Sequence, residues 1–140
     1  MKFVADVMLG SLAKQMRFAG YDVDYDNSAD DETLRKQSNR ILLTKDRELA
    51  ASIPSRRVYF VDSIGGQKQL EEVRKKFPIQ QKSPRCMECN GKLSRVHKRN
   101  IQHLVPPFVF SRQSDFLRCL SCARVYWSGT HYEKMVRMLK

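Results

Sequence analysis

The stretch "ILLTKDREL", residues 41–49, sets three apolar residues end to end and follows them at once with Thr44, Lys45 and the carboxylate of Asp46. An unbroken apolar run suits a strand buried on both faces, as a central parallel strand is. "DREL" then starts a helix, because Asp at the first position is a good N-cap, and Pro54 ends it. The same strand-then-helix unit repeats on either side. "KFVA" (2–5) reads as a strand, and Leu9, Leu12, Ala13 and Met16 recur at helical spacing until Gly20. "YDVDYD" (21–26) alternates and predicts a second strand with one wet face, followed by a short helix that begins near Ser28–Asp31 and stops by Ser38 and Asn39. "VYFV" (58–61) is a fourth strand, and Gly65 and Gly66 open a last helix with Leu70, Val73 and Phe77 on its apolar stripe and Glu71, Arg74 and Lys75 on its wet side.

Strand and helix in alternation predict an α/β fold, an open parallel sheet with helices on both faces. Ligands in such sheets sit beyond the carboxyl ends of the strands. Asp6, Asp26, Asp46 and Asp62 each follow one of the four strands, and Asp30, Asp31 and Glu32 lie on the connection after the second. Crowded carboxylates repel one another unless a cation intervenes, and hard divalent ions take oxygen ligands. The preferred set is Asp6, Asp31 and Asp46 around Mg²⁺ or Mn²⁺, with Asp30 and Glu32 as assisting acids and Thr44 steadying Asp46 by a hydrogen bond. A metal there can acidify water and neutralise a scissile phosphate. Each acid taken alone is equally well explained as a helix N-cap, and "DVDYD" (22–26) is better read as a solvated edge strand.

The chain of 140 residues carries 26 Lys and Arg against 15 Asp and Glu, a net charge of +11. Residues 1–79 hold 14 basic and 12 acidic side chains, whereas residues 80–140 hold 12 and 3. So uneven a field points to a polyanion, and RNA is the expected partner. Lys14, Arg17, Lys45 and Arg47 flank the acidic rim, where they either balance its charge or guide a phosphate backbone toward it. In "WSGTHY" (127–132), Trp127, His131 and Tyr132 lie beside Arg124, an aromatic and cationic mixture on which unpaired bases stack. Trp127 would serve equally as a small core. No run approaches the roughly 20 apolar residues of a membrane span, and the N-terminal stretch reads as neither a signal nor a transit peptide. The expectation is a cytoplasmic protein with no membrane partner and no small-molecule organic cofactor.

"CMEC" (86–89) and "CLSC" (119–122) are separated by 29 residues. In a reducing compartment such a pattern favours metal over disulfide. Two such knuckles, contributing Cys86, Cys89, Cys119 and Cys122, close a four-sulfur shell around a structural Zn²⁺ and leave no vertex for water. Gly91 and Ala123 fit the tight turn after each knuckle, and "KLSRV" (92–96) and "RVYW" (124–127) read as the two arms of a zinc-ribbon hairpin. "FPIQQKSPR" (77–85) reads as a linker between an α/β unit, 1–79, and a small basic ribbon, 80–140. His97, His103 and His131 read as exposed or hydrogen-bonded rather than as ligands.

The stretches "FVADVMLGSLAKQMRFAGYD", "DDETL", "RILLTKDREL", "CMECNGKL" and "CLSCARVYWSGTHY" follow one another over nearly the whole chain. In this order they resemble the Mut-seven carboxy-terminal RNase domain, a PIN-like ribonuclease family in which a compact PIN-type sheet precedes a zinc ribbon. The resemblance implies a metal-dependent ribonuclease with Asp6, Asp31 and Asp46 at the acidic positions. Typical PIN domains carry a further acid on an earlier helix, which the segment between Tyr21 and Asp30 is too short to contain, leaving Asp30 or Glu32 to compensate. The contrasting reading is a non-catalytic RNA- or ribosome-binding adaptor. A phospho-accepting receiver-like site is disfavoured because "VYFVDS" offers no lysine after the late strand.

Overall fold

A computed structural model describes residues 1–79 and 83–129. Four short strands, β1 (Lys2–Ala5), β2 (Asp22–Asp24), β3 (Ile41–Thr44) and β4 (Val58–Phe60), form one parallel sheet in the order β2-β1-β3-β4. Val4 of β1 stands opposite Asp24 and Leu42, and Leu43 of β3 stands opposite Tyr59. Side chains alternate across the sheet, so neighbours in sequence enter different cores. Phe3, Ala5 and Leu43 join Leu12, Met16, Leu70 and Val73 under helices α1 (Gly10–Phe18) and α4 (Gly66–Lys76). Val4 and Leu42 meet Leu34, Leu49 and Ile53 under α2 (Asp31–Lys36) and α3 (Arg47–Ala51) on the opposite face. The apolar run of β3 is therefore buried on both sides, as its sequence requires, and helices cover both faces of the sheet.

Local signals set the boundaries. Gly20, at φ +101°, takes the left-handed position that ends α1. β2 is shorter than its alternating sequence suggests, because Asp26 turns the chain: its Oδ1 accepts from the Ser28 amide at 2.9 Å and from the Ser28 hydroxyl at 2.7 Å.

A second, antiparallel sheet comprises β5 (Leu93–Val96), β6 (Phe116–Cys119) and β7 (Val125–Trp127) in the order β5-β6-β7. The expected two-armed hairpin is thus corrected, since "FLRC" inserts between "KLSRV" and "RVYW" and pairs with both. That strand is four residues long and ends on a knuckle cysteine, so it carries little periodicity of its own. Helix α5 (Pro107–Arg112), entered through Pro107 at a position that needs no amide, lies on the long β5–β6 connection. Ile101, Val105, Val109 and Phe116 form a small core there, with Val96, Phe110, Val125 and Trp127 packed against it.

Polar side chains join the two sheets. Arg17 is buried, its Nε donating to the Val23 carbonyl and its Nη1 to the Met87 carbonyl, both at 2.8 Å. Asn90 covers the outer edge of β2: its Oδ1 accepts from the Val23 amide at 3.0 Å and its Nδ2 donates to Asp22 at 2.7 Å. An open strand edge is thereby paired. The ends of the expected linker are pinned too, by the Tyr21 hydroxyl donating to the Phe77 carbonyl at 2.6 Å and the Arg85 amide donating to the Arg17 carbonyl at 2.8 Å.

Candidate active site and cysteine metal centre

The first acid stands where β1 runs out. The Asp6 amide still donates to the Leu43 carbonyl at 2.9 Å, continuing the ladder one residue past the strand. Its carboxylate, in a residue only 5 % exposed, caps the short turn Val7–Leu9 through Oδ1 at 2.7 Å from the Val7 amide. Oδ2 accepts from the Thr44 hydroxyl at 2.7 Å. Thr44, fully buried, accepts in turn from the Asp46 amide at 3.0 Å. One hydroxyl therefore links the end of β1 to the start of α3 and brings Asp6 and Asp46 to the same point of the sheet edge. Asp46 Oδ1 caps α3, accepting from the Glu48 and Leu49 amides at 3.0 and 3.1 Å.

The acids of α2 behave differently. Asp30 caps that helix through the Thr33 amide at 2.8 Å, and its contacts with Thr33 hold its carboxyl below the usual range. Glu32 pairs with Lys36 at 3.6 Å on open surface. Asp31 is exposed in the first turn of α2, and among the described residues no hydrogen bond or ion pair ties it to Asp6 or Asp46. The structure brings two of the three expected acids together and leaves the third at the rim.

The basic residues expected to guide a phosphate are mostly engaged. Arg17 is corrected from phosphate contact to buried strut, because its guanidinium holds two carbonyls across the inter-sheet junction. Lys14 pairs with Glu88 at 3.2 Å. The Lys45 ammonium donates to the carbonyls of Val61, Asp62 and Ser63 at 3.0, 3.3 and 3.0 Å, matching its three N–H bonds. Half-buried, it pins the chain after β4. Arg47 lies with its guanidinium carbon 4.3 Å from the Phe60 ring centroid. Arg124 is exposed and Trp127 half-buried, while His131 and Tyr132 lie outside the described residues.

Glu72 is the residue that sequence reading missed. Its carboxylate accepts from the Tyr59 hydroxyl at 2.7 Å and from the Asp62 and Ser63 amides at 3.1 and 2.8 Å. Burial opposes its charge, but the hydrogen bonds from Ser63 and Tyr59 outweigh it and bring the group down to about 2. Burial and the Glu72 charge push the Tyr59 phenol up to about 12. Lys45 and Glu72 together fix the segment that carries Asp62. The only sequence signal was position: Glu72 sits on the shoulder of the α4 stripe, between the wet Glu71 and the buried Val73.

In the ribbon the sulfurs of Cys86, Cys89, Cys119 and Cys122 all lie within 4.8 Å of one another. Cys86 and Cys122 are 3.7 Å apart and Cys89 and Cys119 are 3.4 Å apart, near the roughly 3.8 Å edge of a tetrahedron with 2.3 Å zinc–sulfur bonds. Among the described residues this is the one group of three or more such ligands within reach of a single ion. The Ser121 and Cys122 amides both point at the Cys119 sulfur at 3.4 Å. Burial opposes ionisation of Cys119, but those amides prevail and lower it, while burial and the Cys119 sulfur push Cys89 up to about 12, so the negative charge of the cluster gathers on Cys119. The donor set fits a structural zinc. Ala123 takes a left-handed conformation as expected, at φ +68°, but in the first knuckle that role falls to Asn90, at φ +70°, and not to Gly91. Gly91 is needed for closeness instead, since a Cβ there would stand 2.7 Å from the Cys119 sulfur. His97 is not a ligand; its Nδ1 accepts from the Arg99 amide at 3.2 Å.

With both clusters in view, a family model described as the Mut7-C RNAse domain matches residues 1–139. The chain belongs to this family. Comparisons with curated proteins and with solved structures find no match. The Mut7-C match runs through both sheets and both donor clusters, so the resemblance read from the sequence holds over the same stretches, and a ribonuclease-related role ties the chain to RNA. No helix among the described residues is long and apolar enough to cross a membrane.

Proposed function

We propose that this chain is a cytoplasmic metal-dependent ribonuclease of PIN-like type, with the α/β unit 1–79 hydrolysing RNA phosphodiester bonds and the basic ribbon 80–140 helping to grip RNA. The observation that carries the reading is the line Asp6–Thr44–Asp46, standing at the carboxyl edge of the sheet in a member of an RNAse family. Asp6, Asp46 and, from the first turn of α2, Asp31 would hold Mg²⁺ or Mn²⁺, with Asp30 and Glu32 at hand. The oxygen-only donor set suits such an ion. Bound there, it would supply charge against the scissile phosphate and acidify the attacking water. Asp6 is oriented by Val7 and Thr44. Asp46 keeps one carboxylate oxygen clear of its helix-capping duty, because both capping amides use Oδ1. Thr44 ties the Asp6 carboxylate to the Asp46 backbone, which supports a preorganised pair.

Asp6→Asn and Asp46→Asn test this directly, since Asn also caps and the fold is retained. Each variant is expected to lose cleavage of mixed RNA in Mn²⁺ by about 100-fold or more while still binding it. Undiminished cleavage by both rejects the assignment. A second reading, a non-catalytic adaptor, is favoured by one observation: Asp30 and Asp46 both serve as caps. It requires RNA retention that falls steeply with salt and no turnover with either metal.

A further inference from the structure

The four sulfurs of the metal centre do not share one environment. Cys89 and Cys122 are exposed, whereas Cys86 and Cys119 are buried, at 0 % and 3 % exposure. A thiolate cut off from water needs hydrogen-bond donors from the protein, because a buried charge without partners is costly. Cys119 receives two from its own knuckle, the Ser121 and Cys122 amides at 3.4 Å. In the first knuckle, of the same spacing, no backbone amide among the described residues donates to Cys86. Its short contact is instead the Tyr126 hydroxyl, 2.9 Å from the sulfur and 40 positions away in sequence.

Tyr126 reaches that sulfur because of the strand register. Paired with Leu117 in β7, it points to the face of the ribbon sheet opposite the one on which Trp127 packs against the small core. Its hydroxyl oxygen also faces the Met87 amide, which can only donate. With a metal bound, the Cys86 sulfur carries no proton, so the bond has one polarity: the Tyr126 hydroxyl donates and the sulfur accepts. The knuckle that presents Cys86 is held on both sides. The Arg85 amide donates to the Arg17 carbonyl, and the Arg17 guanidinium donates to the Met87 carbonyl, both at 2.8 Å. Donor and acceptor are therefore each fixed by an element outside the sulfur cluster, Tyr126 by β7 and Cys86 by α1.

We propose that Tyr126 is a positioning residue of the cysteine metal centre, its hydroxyl donating to the Cys86 thiolate and strengthening retention of the ion at that ligand. It takes the place of the water that burial excludes from this sulfur and of the amides that serve Cys119. Partners of this kind orient a ligand and tune the metal it holds. A phenylalanine would fill the same place on the sheet, so what the tyrosine adds there is the donor. The inference concerns the ribbon alone and stands whether or not the acidic rim cuts RNA.

Tyr126→Phe in the full-length chain removes the donor and keeps the ring. Its zinc affinity, measured by competition with a chromophoric chelator, is expected to fall about 10- to 100-fold. Excess metal keeps the ribbon folded by mass action, and the emission of Trp127, the only tryptophan, reports this in the zinc-loaded variant. Loaded with excess Co²⁺, the variant should show its thiolate-to-cobalt charge-transfer band at lower energy, because a sulfur relieved of a hydrogen bond gives up an electron more readily. Alkylation by a maleimide, read by mass spectrometry, should quicken at Cys86 relative to Cys119 in the same molecule. Leu117→Ala, a half-buried change in the same cross-strand row, removes packing but no donor. It should lower the unfolding midpoint and leave the cobalt band in place. A band that stays put in Tyr126→Phe, or a zinc affinity within about twofold of the parent, overturns the proposal. So does a band that moves equally in Leu117→Ala, since the shift would then report loosened packing.

Discussion

The two donor clusters of this chain are assembled in opposite ways. The thiols come from two knuckles, each folded around its own sulfur by backbone amides, and stand within 4.8 Å of one another. The carboxylates come from separate strand–helix connections, and Asp6 and Asp46 are oriented by the elements they cap, whereas Asp31 stands exposed in the first turn of α2. A soft, four-sulfur site is complete and closed, so it can only hold structure. The proposed oxygen site draws on the sheet edge, where one threonine joins Asp6 to the Asp46 backbone. The difference locates stability in the first cluster and proposed chemistry in the second.

The largest expected effect probes the closed cluster. Residues 83–129 have only four buried residues in their apolar core, Ile101, Val105, Val109 and Phe116, too few to stabilise so small a unit unaided. Zinc binding to such units is worth roughly 10 kcal/mol. Cys86→Ser is therefore expected to abolish bound zinc in metal analysis, red-shift the Trp127 emission and unfold the ribbon. The Asn90 bond to β2 goes with it, so amide exchange at Val23 should quicken while exchange at Leu42 and Leu43 stays slow. One zinc per chain and an unaltered emission in this variant would break the comparison.

The next effect tests the single hydroxyl that organises the open cluster. Thr44→Val keeps the shape but leaves Asp6 Oδ2 and the Asp46 amide without partners, one of them deeply buried. Denaturant unfolding should show a loss of about 2–3 kcal/mol, which Thr44→Ser largely restores. A loss below about 0.5 kcal/mol would mean that the two acids are positioned by their caps alone.

Glu72 sharpens the same point through pH. Its folded value lies near 2, below the ordinary glutamate value of 4.5. A depressed carboxyl contributes stability that is present above the unfolded value and lost as pH falls through the folded one. Stability should thus decline between about pH 4.5 and 2, and Glu72→Gln should remove that part of the slope and about 2 kcal/mol at pH 7. An unchanged pH profile in the variant would show that Asp62 and Ser63 are held by Lys45 alone.

Legibility in the sequence follows the range of the interaction. The buried strand "ILLT", the caps Asp30 and Asp46, and the paired knuckles are written in adjacent residues, and the structure has them where the local pattern places them. Asn90 meets Val23 across 67 positions and Arg17 meets Met87 across 70. No periodicity announces such partners, and a charged residue bound to carbonyls looks the same in sequence as one facing water. That is why Arg17 reads as a phosphate guide and stands as a buried strut, and why the three carbonyl bonds of Lys45 were not foreseen. Thr44 was legible only by half: its hydrogen bond to the Asp46 amide follows from proximity, whereas its bond to Asp6 exists because β1 and β3 are neighbours in the sheet.

The smallest effect on stability carries the sharpest test of the open cluster. Asp31 is exposed and caps nothing; its only structural asset is a negative charge in the first turn of α2, worth about 0.3–0.5 kcal/mol. Asp31→Asn should therefore unfold within about 0.5 kcal/mol of the parent, yet lose cleavage by about 100-fold if it supplies the third carboxylate. Asp30→Asn is the matched control, because Asn caps as well as Asp and only the charge is lost. Cleavage at the parental rate by Asp31→Asn, with a loss in Asp30→Asn or Glu32→Gln, would move the third position to that neighbour. A loss in none of the three would leave Asp6 and Asp46 as the whole anionic set. The ion would then be held by two carboxylates and the RNA phosphate, and metal affinity measured without RNA should fall in Asp6→Asn and Asp46→Asn but not in any α2 variant.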